Sequence, residues 1–309
     1  MNIIEADPHT RRIPIAMFLI SSLLLGTVVS LFVGKLIIRP VQNISNAFDE
    51  LSKGNFDVKV SENERIEEIR EIAQHFNSMT YDLSHIETLR NDFVANVSHE
   101  FKTPIASIEG YAALLQNGNL TPEKQSRYIE KILDNSQKLS SLCSSILMIS
   151  KLENQEILPK ESEYRIDEQI RKAVLGLESK WTEKNIGFEI DLPKQTYLGS
   201  EQLIGQVWSN IIDNAVKHSY NGGVIEINMK KIGNNLTVTI ADHGDGMSEE
   251  VQKHIFEKFY QGDASRKSDG NGLGLALVKR ITDLCGGDIS VKSAPNEGAV
   301  FTVTLPFKN

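Results

Sequence analysis

The sequence contains little cysteine and no excess of positive charge. Its two cysteines, Cys143 and Cys285, belong to no CxxC pattern and no cluster with histidine, so neither a zinc site nor a disulfide framework is indicated. The 33 Lys and Arg residues are outnumbered by 41 Asp and Glu residues, which gives a net charge of -8. A surface that neutralises phosphates needs excess Lys and Arg. We therefore expect proteins or small molecules as partners, and no nucleic acid.

Charged residues are also missing from a stretch near the N-terminus. Residues 13–33 read IPIAMFLISSLLLGTVVSLFV, about the 20 residues that the hydrocarbon core of a bilayer requires. A signal peptide is the alternative, but its apolar region usually has about 7–15 residues and ends in a small-residue cleavage site, whereas GKLIIRP follows here. We predict an uncleaved transmembrane helix over residues 13–38, after a short extracytoplasmic segment, residues 1–12. Basic residues flank the span on both sides, so the positive-inside rule does not fix its orientation.

Helical periodicity dominates the next part of the chain. After Pro40, apolar residues recur at helical spacing until SKGN interrupts the pattern, which predicts a short amphipathic helix and a linker. From about Ser61 to Lys102 there is neither Gly nor Pro, and apolar residues recur at intervals of three or four, as in a coiled-coil seam. We expect Pro104 to kink this helix, because proline lacks the N–H donor and its ring clashes with the carbonyl four residues back.

A second long helix should follow a short loop. Thr121, Pro122 and Glu123 match an N-cap, a first-turn proline and an early acid, and helical periodicity continues to about Leu152. Two such helices form an antiparallel hairpin, whose apolar seams are too extensive for one copy to cover. Pairing two hairpins gives a four-helix bundle, so we expect a homodimer.

Beyond about residue 158 the pattern changes to short strands. GFEIDL, GVIEINMK, LTVTIAD and FTVTLP alternate in the manner of half-buried strands. They are interleaved with helical runs at 165–178, 200–219, 248–256 and 273–286. The sequence therefore predicts a separate α+β domain, a sheet with helices on one face.

One segment of this domain, NIIDNAVKHS, combines amides and a lysine on a predicted helix. Asn210 and Asn214 lie one turn apart, and Lys217 follows three residues later. Amide oxygens suit a Mg²⁺ ion that keeps much of its water shell, and a lysine can reach phosphate. An NxxxN pair taken alone is usually solvated surface.

Three further segments are rich in glycine. In DHGDGM, which follows the strand LTVTIA, Asp242 can accept a bond from an exocyclic amine, and Gly244 and Gly246 allow a ligand close to the backbone; a tight turn is the alternative. GNGLGL precedes a helix and offers N–H groups to an anion, but no strand precedes it, so it is not a Rossmann fingerprint. NEGAVFTVTLP alone implies only a turn and a final strand.

Together and in this order, these segments resemble the bacterial sensor histidine kinases of two-component systems. NVSHEFKTPI is similar to their H box, NIIDNAVKHS to the N box, DHGDGM to the G1 box, IFEKFY to the F box, GNGLGLAL to the G2 box and NEGAVFTVTLP to the G3 box. The resemblance covers residues 85–309, and residues 34–84 look like the HAMP linker of the family. It implies a HAMP-like linker at 39–84, a dimerisation and histidine phosphotransfer domain at 85–155, and an α/β-sandwich ATP-binding domain of the Bergerat (GHKL) type at 156–309.

The resemblance also implies a reaction at the H box. ATP bound by the C-terminal domain would donate its γ-phosphoryl group to His99, and imidazole is a competent nucleophile near neutral pH. Glu100 would bond the other ring nitrogen and take or stabilise its proton, although helix neighbours point about 100° apart. Thr103 lies one turn after His99, and the acid-x-x-Thr pattern is similar to that of relatives that also dephosphorylate their response regulators. A simple hydroxyl before a proline is the alternative for Thr103.

For the nucleotide, the resemblance implies Asn210 and Asn214 near Mg²⁺, Lys217 near phosphate and Asp242 on the adenine amine. The positions that would shape the pocket are Gly244, Gly246, Gly270, Gly272, Leu273 and Gly274. Residues 261–269 would form a lid over ATP.

Asn210 also separates this chain from a related class. ATPases of the gyrase and Hsp90 type carry a water-activating glutamate at its position. An amide is a poor base, which favours transfer to His99 over hydrolysis of ATP.

The sequence departs from the family pattern at two positions. Many relatives read FYR in the F box, with an arginine that contacts the γ-phosphate, whereas this chain has Gln261 there. Lys258, Arg266 and Lys267 are nearby cations that can substitute for it electrostatically. Ala299 stands where threonine is frequent.

A kinase domain that uses cellular ATP must lie in the cytoplasm. We therefore expect a single-pass protein of the plasma membrane, in contact with lipid, with a cognate response regulator as partner. A stimulus would be sensed within the membrane, relayed by a partner membrane protein, or received by an upstream region. A dimeric scaffold without catalysis is one alternative, weakly favoured by Gln261, and a free ATPase is another, opposed by Asn210 and by the H-box hairpin.

Overall fold

The structure is a computed structural model that describes residues 8–116, 118, 120–154, 160–262 and 271–307, without the side chains of residues 8–16. It divides into two compact units, residues 1–94 and 95–309. The helices are α1 (Pro8–Val33), α2 (Arg39–Ser52), α3 (Glu67–Gln116), α4 (Pro122–Glu153), α5 (Ile166–Leu175), α6 (Glu178–Glu183), α7 (Glu201–His218), α8 (Glu249–His254) and α9 (Gly274–Leu284). The strands are β1 (Ser162–Arg165), β2 (Gly187–Asp191), β3 (Thr196–Gly199), β4 (Val224–Ile232), β5 (Asn235–Asp242), β6 (Asp288–Ala294) and β7 (Gly298–Pro306).

The predicted apolar helix near the N-terminus is confirmed. Helix α1 continues through a π-helical turn, Gly34–Ile38, into α2. Within the described residues one helical stretch, Met17–Ser52, is long and apolar enough to cross a membrane, and its apolar part is not buried inside the protein.

In the first unit, α2 and the start of α3 pack through an apolar stripe. Phe48 and Phe76 meet edge to face, with ring centroids 4.8 Å apart. The Asn77 amide donates to the carbonyl of Val60 and accepts from its N–H, both at 2.9 Å. This pair of hydrogen bonds holds the connecting segment in a non-helical conformation. It explains why α3 begins at Glu67, later in the chain than the predicted start near Ser61.

The hairpin helices end close to their expected limits. Thr121 caps α4, and its hydroxyl accepts from the N–H of Lys124 at 3.4 Å. Tyr111 of α3 and Tyr128 of α4 bring their rings to 5.4 Å near the connecting loop. Helix α3 is continuous through Pro104, and the kink expected there stays a prediction.

In the described part of the C-terminal domain, five strands form one mixed sheet in the order β2-β4-β5-β7-β6. Strand β2 pairs parallel with β4, and the other neighbours are antiparallel. Alternate residues of β5, from Leu236 to Asp242, are buried, as expected of a sheet with one covered face. Helix α7 packs on the sheet between α5 and α9, and its Trp208 is fully buried. The predicted α/β architecture is confirmed.

The sequence did not predict β1, β3 and β6. Strands β1 and β3 have only four residues each and pair with one another, so their structure depends on a contact about 35 residues away in the chain, as the register Ser162–Gly199 shows. The predicted helix at 165–178 ends at Leu175, because Gly176 forms its C-cap and glycine is a poor helix former.

Candidate nucleotide and phosphoacceptor sites

Helix α7 carries the N box and begins with a side-chain cap. The Ser200 hydroxyl accepts from the N–H of Leu203 at 3.5 Å, and Glu201 in the first turn complements the helix dipole. Fully buried side chains cover one side of the helix. The half-buried Asn210 and Asn214 lie one turn apart.

The N box meets the G2 box at Asn210. The Asn210 amide donates to the carbonyl of Gln206 at 2.8 Å, which ties its nitrogen to the helix and leaves its oxygen directed away. A Cβ at Gly274 would lie only 2.9 Å from that oxygen. Glycine at this position therefore keeps space beside an amide oxygen, as a site for a hydrated cation requires.

The described residues hold no cluster of three or more His, Cys, Asp or Glu side chains suited to a metal ion. A cation here would take its protein ligands from amide oxygens and the rest from water and phosphate. Mg²⁺ is commonly bound in this way, with few protein ligands and several waters. The residues present thus fit the expected ion, with Asn210 and Asn214 as the side chains that would hold it.

The G1 loop, residues 242–247 with the sequence DHGDGM, packs against the C-terminal end of the same helix. Ser219 and Gly244 form an isolated antiparallel bridge, and the N–H of Asp245 donates to the carbonyl of His218 at 3.3 Å. A Cβ at Gly244 would overlap that carbonyl oxygen. Only glycine fits here, so the sequence pattern has a steric cause.

Asp242 ends β5 with its side chain buried, only 3% exposed. Its carboxylate accepts from the N–H of Gly244 at 3.1 Å. Burial raises the pKa of Asp242 to about 6, while hydrogen bonds from the backbone of Gly244 and Ala299 oppose the shift. At neutral pH this is a buried acceptor suited to an exocyclic amine. Because the bond from residue 299 comes from the backbone, alanine in place of threonine does not remove it.

The turn between β6 and β7 clamps the G1 loop from the other side. Gly246 has φ +64° and faces the carbonyl of Ala294, where a Cβ would overlap. The Ser293 hydroxyl accepts from the N–H of Met247 at 2.8 Å and donates to the carbonyl of Gly298 at 2.6 Å. Sequence reasoning gave the G3 box no role in the site.

Gly298 is the residue of the G3 box that sequence reasoning missed. A Cβ there would overlap the backbone carbonyl of Asp242, so Gly298 lets β7 approach the residue that is predicted to bind adenine. The glycine turn before the last strand was the only signal for it in the sequence.

The F box packs against the G2 box. The N–H of Phe259 donates to the carbonyl of Gly272 at 2.9 Å, and Phe259 has the unusual φ of +63°. A Cβ at Gly272 would lie 2.6 Å from the carbonyl carbon of Phe259. Leu273 is fully buried and precedes the first residue of α9. Gly270, Arg266 and Lys267 fall within 263–270, outside the described residues, as does most of the expected lid.

Lys258 was expected at the nucleotide, but its ammonium pairs with the carboxylate of Glu153 at the end of α4. Arg280 of α9 donates to the nearby carbonyl of Leu152 at 3.1 Å. The end of α4 is thus seated on α9 and the F box, and Leu152 is fully buried there.

The H box lies on α3. His99 and Thr103 are exposed, Glu100 is half-buried, and the Thr103 hydroxyl donates to the backbone carbonyl of His99 at 3.4 Å. Among the described contacts, no hydrogen bond joins Glu100 to the His99 ring. The structure therefore places the imidazole and the hydroxyl on one accessible face, and the role of Glu100 stays a prediction.

Comparisons with known families agree with this arrangement. Three family models match the chain in order: the HAMP domain at residues 32–80, the His Kinase A (phospho-acceptor) domain at 89–155, and the histidine kinase-, DNA gyrase B- and HSP90-like ATPase at 199–309.

Similar curated proteins include the heme sensor protein HssS of Staphylococcus saprophyticus, 35% identical over 269 residues, or 87% of this chain and 58% of that protein. HssS of Staphylococcus aureus is 33% identical over 270 residues, with the same coverage. This chain thus spans 58% of the length of these relatives.

Solved structures with the same architecture include histidine kinase ThkA in complex with response regulator protein TrrA, with TM-score 0.58, 25% identity, and coverage of 73% of this chain and 64% of that one. Full-length ShkA in complex with AMPPNP has TM-score 0.53 and 28% identity, covering 71% of this chain and 46% of that one. The chain belongs to the bacterial two-component sensor histidine kinases, with HAMP, phosphoacceptor and ATPase domains in that order.

Proposed function

We propose that this protein is a membrane-anchored kinase that transfers the γ-phosphoryl group of ATP to His99 and passes it on to an aspartate of a cognate response regulator. The observation that carries the proposal is the convergence of the N, G1 and G2 boxes on α7, in a chain that also presents an exposed histidine on α3. Asn210 faces Gly274, and His218 faces Gly244. Both elements that the reaction needs are therefore built in one chain.

Each residue of the nucleotide site has a separate task in this reaction. Asp242 accepts a hydrogen bond from the adenine amine. Lys217, in the last turn of α7, neutralises negative charge on the phosphates. Asn210 and Asn214 would hold Mg²⁺, and the ion would supply positive charge to offset that of the phosphate oxygens.

At the phosphoacceptor, a neutral ring nitrogen of His99 attacks the γ-phosphorus. The bond from phosphorus to the bridging oxygen breaks, and ADP leaves with its electron pair. Glu100 takes or stabilises the proton of the other ring nitrogen. Transfer to a regulator repeats the displacement, with an aspartate carboxylate as the nucleophile and His99 as the leaving group.

Transfer is favoured over hydrolysis by the amide at Asn210. Its nitrogen is bonded to the carbonyl of Gln206, and an amide oxygen is too weak a base to deprotonate water. This distinguishes the protein from a free ATPase.

Thr103 supports a second, opposing activity, which is hydrolysis of the phosphate on the regulator. Its hydroxyl lies on the same accessible side of α3 as His99, one helical turn away. A hydroxyl in that position can orient a water molecule toward an aspartyl phosphate on a docked regulator.

The proposed assembly is a homodimer in the plasma membrane. Leu114, Ile129, Leu133 and Leu147 of the hairpin are each at least 44% exposed in a single copy, which is unfavourable in water, and a second hairpin would cover them. The apolar helix α1 would cross the bilayer in contact with lipid and leave the HAMP and kinase domains in the cytoplasm.

The proposal is tested by incubating the full chain in detergent or nanodiscs with γ-labelled ATP and Mg²⁺. We expect acid-labile label on the protein, lost in His99→Ala while ATP binding persists. Label retained in His99→Ala contradicts the assignment of His99. Steady release of phosphate would identify an ATPase, and bound ATP without either activity would identify a scaffold.

A further inference from the structure

The C-terminus of α7 is completed by a lysine from a distant segment. The last four carbonyls of an α-helix have no partner within the helix, and they commonly find one through a glycine in the left-handed conformation. Here the C-cap residue is Ser219, with φ −64° and ψ 146°. That extended conformation is incompatible with a glycine-type cap, so other donors are needed.

Lys184 supplies these donors. Its ammonium group donates to the carbonyls of Val216 at 3.0 Å, Lys217 at 2.6 Å and Ser219 at 3.2 Å. An ammonium has three N–H donors, and all three are accounted for. Its positive charge also lies at the negative end of the helix dipole, where a cation is stabilising.

The segment that carries Lys184 is itself fixed. The carbonyl of Lys184 accepts from the N–H of Gly222 at 2.8 Å, and the N–H of Gly187 donates to the carbonyl of Gly223 at 2.9 Å. Lys184 therefore reaches α7 from a backbone that is anchored to the loop before β4.

The same helix end receives the G1 loop. The carbonyl of His218 accepts from the N–H of Asp245, and Ser219 bridges to Gly244. These bonds require the last turn of α7 to keep its position, and Lys184 holds the carbonyls on both sides of His218.

We propose that Lys184 is a positioning residue of the nucleotide site, which fixes the last turn of α7 and with it the seat of the G1 loop. Its ammonium donates to the backbone carbonyl of Lys217, the predicted phosphate ligand, and thus acts on that residue through its backbone. The inference rests on the proposed nucleotide site. Without the ammonium, three part-buried carbonyls lose this donor and the last turn loosens.

A matched control lies one helical turn earlier in the same segment. Lys180 pairs with Asp213 of α7, but both side chains are partly exposed and the pair lies away from the helix end. Lys180→Met removes an identical charge and the same number of side-chain donors from the same helix pair.

The test compares Lys184→Met, Lys184→Gln and Lys180→Met in the full chain. In Lys184→Met we expect about tenfold weaker ATP binding by calorimetry, the factor that corresponds to loss of one charge-assisted hydrogen bond. Without nucleotide, we expect faster amide hydrogen exchange at Gly244 and Asp245 and unchanged exchange in β5 and β7. Lys184→Gln keeps two donors without the charge and should lie between Lys184→Met and the parent, while Lys180→Met should bind ATP within about twofold of the parent.

Equal affinity and equal exchange in the parent and Lys184→Met overturn the proposal. Exchange that accelerates as much in β5 and β7 as at Asp245 also overturns it, because the lysine would then serve general stability. If Lys184→Met does not fold, Lys184→Gln decides by the same criteria. A parent that binds no nucleotide contradicts the proposed function, whereas the exchange measurement still tests Lys184.

Discussion

Asp242 places a titratable group where adenine is expected. Its pKa of about 6 lies above the ordinary value of 3.8 because of burial, so the folded protein binds this proton more tightly than the unfolded chain. The contribution of Asp242 to stability therefore falls as the pH rises from about 4 to 6. Above that range the carboxylate is ionised, which is the form that the proposed hydrogen bond from adenine requires.

A pH dependence of ATP binding follows from this ionisation. Between pH 7 and pH 5 we expect the affinity of the parent protein to fall about tenfold more than that of Asp242→Asn, because protonation of one group with this pKa removes about nine-tenths of the acceptor. Titration calorimetry at both pH values measures it, and Asp242→Asn corrects for the titration of ATP itself. Parallel pH profiles in the two proteins would show that Asp242 does not bind the adenine.

Gly244 tests the backbone contact between the G1 loop and α7. In Gly244→Ala the added Cβ meets the carbonyl of His218, so the loop must move, and we expect at least about tenfold weaker ATP binding and about 1–3 kcal/mol lower stability. Gly187→Ala is the control, because its Cβ would make only an ordinary contact, 3.7 Å from Val224. Denaturant unfolding measures the stability of both variants, and calorimetry measures their affinity for ATP. If Gly244→Ala matched Gly187→Ala in both, the close packing of Gly244 on His218 would be contradicted.

At the scale of elements, the end of α4 and the F box share an ion pair. Glu153 and Lys258 are both partly exposed, and such pairs contribute about 0.2–1 kcal/mol. Lys258 is one of the three cations expected to substitute for the missing F-box arginine, and its ammonium pairs with Glu153. Releasing it should therefore favour its approach to phosphate.

We expect Glu153→Gln to bind ATP up to about fivefold more tightly than the parent, since loss of the Glu153 carboxylate removes one competitor of phosphate for the Lys258 ammonium. The gain should shrink at high salt, because exposed charges are screened. Asp134→Asn, which breaks the exposed pair with Lys131 on the same helix, is the control and should leave affinity unchanged. Weaker binding in Glu153→Gln would show that the pair supports the site.

The boundaries of elements show what local sequence can predict. Periodicity located α7 to within one residue at each end, predicted 200–219 against Glu201–His218, because its apolar stripe and its cap are local signals. Strands β1 and β3 have no such signal, since each is completed by the other. Lys184 was missed for the same reason: its three partners lie more than 30 residues away in the chain.

The glycines of the site divide in the same way. Gly244 and Gly246 were found because they stand in a recognisable pattern, yet the carbonyls that exclude a side chain, those of His218 and Ala294, come from other elements. The pattern could therefore predict that glycine is needed there without showing what it touches. Gly298 was missed because its partner, Asp242, lies on a neighbouring strand.

At the scale of the whole molecule, a single copy leaves the hairpin incompletely covered. Leu133 of α4 is 57% exposed, and the proposed homodimer would bury it. We expect Leu133→Glu to dissociate the dimer and abolish labelling of His99 while ATP binding persists, because a charge in an apolar interface is strongly unfavourable. The control is Lys124→Glu, because residue 124 lies on the opposite face of α4 from Leu133; this variant should remain a dimer. Light scattering of the detergent-solubilised chain reads the mass; a dimer that survives Leu133→Glu contradicts this interface.

In the proposed reaction, His99 receives the phosphoryl group of ATP bound beside Asp242. Mass spectrometry of peptides from the full chain, after incubation with ATP and Mg²⁺ at neutral to alkaline pH, tests it most directly. His75 and His85 lie on the same helix and serve as internal controls. We expect phosphorylation of the peptide that carries His99 and its loss in Asp242→Ala. Phosphorylation of His75 or His85 instead, or unchanged phosphorylation in Asp242→Ala, would contradict it.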